Sequence, residues 1–204
     1  MKKSYQLKNI WEGEFGKEWS IRNYMERAKL RESFWSELLK YVPKVRSVLE
    51  IGCNVGMNLQ ALHKANQGLK ITGLEPNNYA FQEAKKIAKG RWSVLNDDVL
   101  NATIDKKVDL VFTCTVLIHI DPNDMESVLR KIYDLSNSYI LAMEYYWPWP
   151  IIKEIRYRGL KNALWKRDFG ALWLKYFKLE VIEVGYIGDL CGFDRTTWWL
   201  FKKK

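Results

Sequence analysis

Residues 48 to 58, Val-Leu-Glu-Ile-Gly-Cys-Asn-Val-Gly-Met-Asn, constrain the fold more than any other stretch, because an apolar strand runs straight into a glycine turn and then a helix. Val48, Leu49 and Ile51 have the character of a buried strand, and Gly52 and Gly56 free the backbone where a side chain would block close approach of a ligand. Glu75 follows Gly56 by nineteen residues, at the end of a second apolar run, Ile71 to Leu74. A carboxylate at that spacing suits the two hydroxyls of a ribose.

The pattern continues beyond this unit. Helical spacing over 57–66, a strand over 70–75, a helix over 77–89, strands over 92–95 and 109–115, a helix over 122–134 beginning near an Asp cap and a strand over 139–145 predict alternating elements and hence a parallel sheet. Upstream, apolar residues between Trp19 and Leu39 recur at three and four spacing, which predicts one helix over 17–41, ended by Pro43. Downstream, the strand-like runs 179–187 and 196–202 lack room for a helix between them and should pair as an antiparallel hairpin. A length of 204 residues allows one well-buried α/β domain. It divides into an N-terminal helical lid (1–44), a cofactor-binding core (45–146), a basic and aromatic acceptor-side insertion (147–178) and a closing hairpin (179–204).

Several classes are disfavoured. The expected G-x-G-x-x-G of a dinucleotide site is absent, and Glu50 at the strand end would meet a pyrophosphate with like charge. With 48% hydrophobic and 28% charged residues the chain has the composition of an ordinary globular protein. The N-terminus lacks the continuous apolar segment of a secretory signal, and no apolar run approaches a membrane span, so a cytoplasmic location without a membrane partner is the expectation. Cys53, Cys114 and Cys191 are widely spaced and make no C-x-x-C, so neither a disulfide framework nor a metal site is expected. Residues 151–178 hold eight Lys or Arg against two acidic residues, a local +6 out of the formal +9, which suits an anionic acceptor.

The pattern E-x-G-x-x-x-G with Glu75 behind it resembles the cofactor motif of class I S-adenosylmethionine (SAM) dependent methyltransferases; a cofactor bearing an ammonium and a sulfonium tolerates Glu50. Asn54 stands where that family commonly has a middle glycine, and Asn is among the few residues that accept a left-handed backbone. The segments 11–23, Val-Leu-Ile-His-Ile-Asp-Pro (116–122), Glu-Tyr-Tyr (144–146), Tyr-Arg-Gly (157–159) and Trp-Lys-Arg-Asp-Phe (165–169) resemble the methylases associated with pseudaminic acid biosynthesis. Trp147-Pro148-Trp149-Pro150 and Gly192-Phe193-Asp194-Arg195 depart from that family's pattern.

The resemblance implies a Rossmann-like α/β sheet, mostly parallel, with a C-terminal antiparallel hairpin and an N-terminal helical lid. It also implies SAM as cofactor, with Glu50, Gly52, Cys53, Asn54, Gly56 and Asn58 around its amino acid and ribose parts. Glu75, Pro76 and Asn77 would hold the ribose; Asp97 or Asp98, with Val99, the adenine. Thr113, Cys114 and Val116 would lie near the transferred methyl, and Trp19 and Arg22 would act from the lid. His119, Glu144 and Tyr145 are the catalytic candidates, an imidazole being suited to take a hydroxyl proton. Tyr146, Trp147 and Trp149 could wall a sugar ring, and Tyr157, Arg158, Lys166 and Arg167 could grip an acid group, oriented by Glu144 or Asp168. The expected partner is a small anionic acceptor, such as a sugar or sugar acid of surface-glycan biosynthesis. The rivals are a nucleic-acid methyltransferase, disfavoured by the lack of [DN]-P-P-[YF], and a non-catalytic SAM-binding protein.

Overall fold

The computed structural model describes residues 9–22 and 26–204, with the side chains of 22–27 outside that description. Two helices, α1 (Glu14–Arg22) and α2 (Glu26–Tyr41), precede the first strand, β1 (Ser47–Ile51). There follow α3 (Met57–Ala65), β2 (Lys70–Leu74), α4 (Asn78–Ala88), β3 (Ser93–Leu95), β4 (Val108–Cys114), α5 (Met125–Leu135) and β5 (Ser136–Glu144). A short hairpin of β6 (Lys153–Glu154) and β7 (Trp165–Lys166), then α6 (Phe169–Tyr176), leads to β8 (Leu179–Ile187) and β9 (Thr196–Lys203).

Seven strands form one sheet in the order β3-β2-β1-β4-β5-β9-β8. The first five are parallel, while β9 pairs antiparallel with both β5 and β8. This is the α/β architecture anticipated, closing hairpin included. Successive strand residues point to opposite faces, so Leu110 and Phe112 of β4 join Trp35, Leu59 and Leu62 on one side. Val111, between them, joins Leu129, Ile132, Phe169 and Trp173 on the other. Two apolar layers thus sandwich the sheet between helices.

Three expectations are corrected. The single helix over 17–41 is two, with residues 23–25 outside the described part, and the second, α2, packs on the sheet: its Trp35 is fully buried, 4.7 Å from the Phe112 ring. The helix expected from Pro122 begins at Met125, and its N-cap Asp124 makes no side-chain capping bond. The insertion 147–178 does not stand apart from the core, because α6 covers the sheet through Phe169 and Trp173. That helix is short and apolar on most sides, so it has no clear amphipathic period to read.

Candidate active site

The turn after β1 folds as the motif demands. Gly52 (φ 70°), Asn54 (φ 48°) and Gly56 (φ 85°) all adopt left-handed backbone, so Asn54 takes the conformation expected of it. Gly73 in β2 is also required: a Cβ there would meet Cys53 Sγ and Leu59 Cδ1 at 2.6 Å. Glu75 locks the turn from below, accepting from Asn54 N at 2.8 Å through one oxygen and from Asn77 N at 2.8 Å through the other.

A cavity of about 450 Å³ opens above the carboxyl ends of β1, β2 and β4, where open α/β sheets place their ligands. Its floor includes Gly52, Asn54, Glu75, Pro76, Asn77, Cys114 and Val116; Asp97, Asp98 and Val99 form one wall, and His119 contributes to another. The 9–22 segment covers it with Trp11, Glu12, Gly16, Trp19 and Ser20. Asn77 Nδ2 ties this cover down by donating to the carbonyls of Trp11, Glu12 and Gly13 at 2.9, 3.2 and 3.1 Å. Trp19 Nε1 adds a bond to the Tyr157 hydroxyl at 3.0 Å.

A second, smaller space of about 40 Å³ adjoins the turn and is lined by Arg31, Glu50, Gly52, Cys53, Asn58, Cys114, Thr115 and Asp194, among others. Arg31 Nη1 donates to Asn58 Oδ1 at 2.9 Å, Asn58 Nδ2 donates to Glu50 Oε1 at 2.6 Å, and Arg31 Nε holds the Gly192 carbonyl at 2.9 Å. Glu50 Oε2 is buried with no hydrogen-bond partner among the described residues. Burial raises the Glu50 carboxyl to about 8 and that of Glu75 to about 7. A buried acceptor without a donor is costly, so the free oxygen of Glu50 fits a cationic ligand group such as an α-ammonium.

Asp97 and Asp98 are separated by their bonds. Asp98 accepts from Leu100 N and Asn101 N through one oxygen and from Asn101 Nδ2 through the other, so its carboxylate closes its own turn. Asp97 accepts from Asp98 N through Oδ1, its one bond among the described residues. His119 Nδ1 lies 2.7 Å from the Ala163 carbonyl, which can only accept, so Nδ1 carries the proton of the neutral ring. Burial lowers the pKa of His119 to about 4, and its ring packs between Trp11 at 4.3 Å and Tyr157 at 5.2 Å.

Other candidates sit elsewhere. Glu144 is wholly buried and accepts from the backbone amides of Val116, Leu117 and Ile118, fixing the turn that carries His119 rather than facing a cavity. Tyr145 donates to Asp194 at 3.1 Å, and burial raises its phenol pKa. Neither Tyr145, Gly56 nor Thr113 lines either space. Tyr146, Trp147, Arg158, Lys166 and Arg167 lie outside both as well, and Tyr157 meets the site through Trp11, Trp19 and His119. Arg167 is buried beside Phe169, with Nε and Nη2 unpartnered among the described residues. Burial depresses its pKa to about 10. Asp168 is not a partner for these cations but the N-cap of α6, accepting from Ala171 N at 2.8 Å. The Arg22 side chain lies outside the described residues. Arg31 and Trp11 escaped sequence reasoning, Arg31 because its bond to Gly192 spans 161 positions of chain. Among the described residues, no group of His, Cys, Asp and Glu has a metal-holding arrangement, and no helix is long and apolar enough to cross a membrane.

Residues 49–138 match the family model described as a methyltransferase domain. No curated protein matches the chain. Among solved structures, 1,6-didemethyltoxoflavin-N1-methyltransferase of Burkholderia thailandensis, bound to 1,6-didemethyltoxoflavin and S-adenosylhomocysteine, is 11% identical with a TM-score of 0.77, over 100% of this chain and 92% of that one. Magnesium protoporphyrin IX methyltransferase of Synechocystis PCC 6803, bound to S-adenosylhomocysteine, is 13% identical with a TM-score of 0.74, over 98% and 99%. The mitomycin 7-O-methyltransferase MmcR is 20% identical with a TM-score of 0.68, over 98% of this chain and 60% of that one. Residues 49–138 thus match a methyltransferase domain, and they sit in a fold shared with methyltransferases solved with SAM or S-adenosylhomocysteine bound. The acceptors named for those structures differ from one another, so at these identities the likeness extends to the fold and not to the acceptor.

Proposed function

We propose that the protein transfers a methyl group to a small anionic acceptor, most simply a hydroxyl of a sugar or sugar acid made for a surface glycan. The observation that carries this reading is one covered cavity in which Glu75, Asp97 and the glycine turn share the walls with a neutral, tautomer-fixed His119. The resemblance to the pseudaminic acid-associated methylases supports the anionic character of the acceptor.

Bound SAM supplies an electrophilic methyl on a sulfonium. Glu75 would take the ribose hydroxyls on its remaining lone pairs, Asp97 the adenine amino group and Val99 the ring face. Glu50 Oε2 would accept from the α-ammonium, while Arg31, beside the same small space, would meet the carboxylate. Trp11 and Trp19 exclude water from above, which matters because in-line displacement depends on alignment more than on strong acids or bases. His119 would accept a hydrogen bond from the acceptor hydroxyl through Nε2 and orient its oxygen; as the O–CH₃ bond forms and the S–CH₃ bond breaks, the hydroxyl proton passes to Nε2, and a ring with a pKa near 4 gives it up to water when the products leave. Glu144 acts through the turn that it caps, as a positioning residue.

The test is incubation of the protein and methyl-deuterated SAM with small-molecule extract of the source cells, followed by mass spectrometry. A labelled anionic sugar derivative is the expected product. Labelling confined to RNA, or to an uncharged aromatic compound, would refute the assignment.

A further inference from the structure

The strap that leaves β5 exposes more apolar surface than a methyl-transfer site explains. Trp149 is 50% exposed, Ile151 56%, Ile152 51% and Tyr146 45%, and Leu174 on α6 is 46% exposed. Trp149 is joined to that helix by Lys175, whose Nζ stands 5.7 Å from the indole centroid. Cations flank the patch: Lys153 lies over Trp147 at 3.6 Å, Lys166 pairs with Lys153 across the β6–β7 hairpin, and Arg156, Arg158, Lys161 and Lys178 are exposed nearby in sequence. None of Tyr146, Trp149, Ile151, Ile152 and Leu174 lines either cavity.

We propose that this strap, with the adjoining end of α6, adsorbs the protein to an anionic lipid surface. Aliphatic and indole side chains enter the headgroup boundary, while Lys and Arg stems lie along it and hold their charges at the phosphates. A second copy of the chain is a poorer occupant, because a self-complementary contact would bring two clusters of like charge together. A nucleic acid would use the cations and Trp149 but would leave Ile151, Ile152 and Leu174 without a partner. The strap starts at the carboxyl end of β5, the same edge of the sheet that bears the cavity, so adsorption would present that edge to the lipid. Because the patch lies outside the cavity, this inference goes beyond the proposed acceptor and stands or falls separately from it.

The full chain is to be co-sedimented with vesicles of phosphatidylcholine alone and of phosphatidylcholine mixed with phosphatidylglycerol, at low and raised salt. Partition onto the mixed vesicles, weaker on the neutral ones and declining with salt, is the expected result. Ile151→Asn with Ile152→Asn, and separately Lys153→Glu with Lys175→Glu, should each lower that partition by about tenfold. Circular dichroism and calorimetric SAM affinity, unchanged in both pairs, would show that fold and cofactor site are intact. Equal partition onto the two kinds of vesicle, undiminished binding by the isoleucine pair, or a dimer dissolved by that same pair would each overturn the proposal.

Discussion

Asn77 donates its backbone N–H to Glu75 at 2.8 Å while its side-chain amide holds three carbonyls of the cavity cover, so the carboxylate on the cavity floor and the segment above the cavity meet at one residue. The same side chain accepts from Ala80 N and caps α4. Asn77→Ala removes cap and clasp together and should cost about 1–2 kcal/mol of stability. Asn77→Asp keeps the capping oxygen but loses the donor, so it should leave the melting temperature nearly unchanged while SAM dissociates faster. Stopped-flow release, with hydrogen exchange over residues 9–22, would reveal a rigid cover if the clasp were idle.

Glu75→Ala is expected to abolish SAM binding, but it also orphans the amides of Asn54 and Asn77, each at a cost of about 1–3 kcal/mol. Glu75→Gln is the milder substitution, because its one carbonyl oxygen still accepts from one of the two amides. It should weaken SAM affinity by about tenfold or more, the scale of one lost charge-assisted bond, while secondary structure is retained. Unaltered calorimetric affinity would place the ribose elsewhere.

The buried carboxyls set the sign of a pH response. Burial raises Glu50 from 4.5 to about 8, and Glu75 and Glu144 to about 7, so the folded chain holds these protons more tightly than the unfolded one. Their stabilisation is complete below about pH 4.5 and is lost as pH rises through the folded values. His119 acts oppositely below about 6.5, because its folded pKa is depressed to about 4. Between about pH 6.5 and 8 only the carboxyls contribute, and the melting temperature of ligand-free protein should fall across that window. SAM affinity should rise over the same range, as Glu50 ionises to meet the ammonium. Thermal scans paired with calorimetry at several pH values give both signs, and a melting temperature that climbs would count against the buried-carboxyl account.

His119→Phe preserves ring packing against Trp11 and Tyr157 but removes both nitrogens. We expect kcat to fall by about 10²-fold or more with SAM affinity retained, and the parent enzyme to show no inflection near pH 6.5, since its imidazole is already neutral there. Full kcat in the variant would reduce His119 to a packing residue.

Much of the glycine turn and the cavity floor was legible because it is local. Glu50, Gly52, Asn54 and Glu75 belong to two strand ends and the turn between them, and strand–turn–helix patterning places such residues without knowledge of the rest of the chain. The acceptor side was not. Glu144, Arg167 and Asp168 have the composition of a polar site, yet one caps a buried turn, one lies sealed beside Phe169 and one caps α6. A charged residue has the same letter in each role, and only its neighbours in space decide among them.

The order of apolar runs and glycines therefore determined by itself a parallel sheet with a left-handed turn after its first strand, because side-chain periodicity and backbone sterics act over a few residues. Only the tertiary structure decided that Arg31 reaches the Glu50 turn, that Trp11 and Trp19 roof the cavity and that Trp149 and Ile151 face outward. Those placements depend on which distant segments pack together, and packing energy is a property of contacts that chain order does not display.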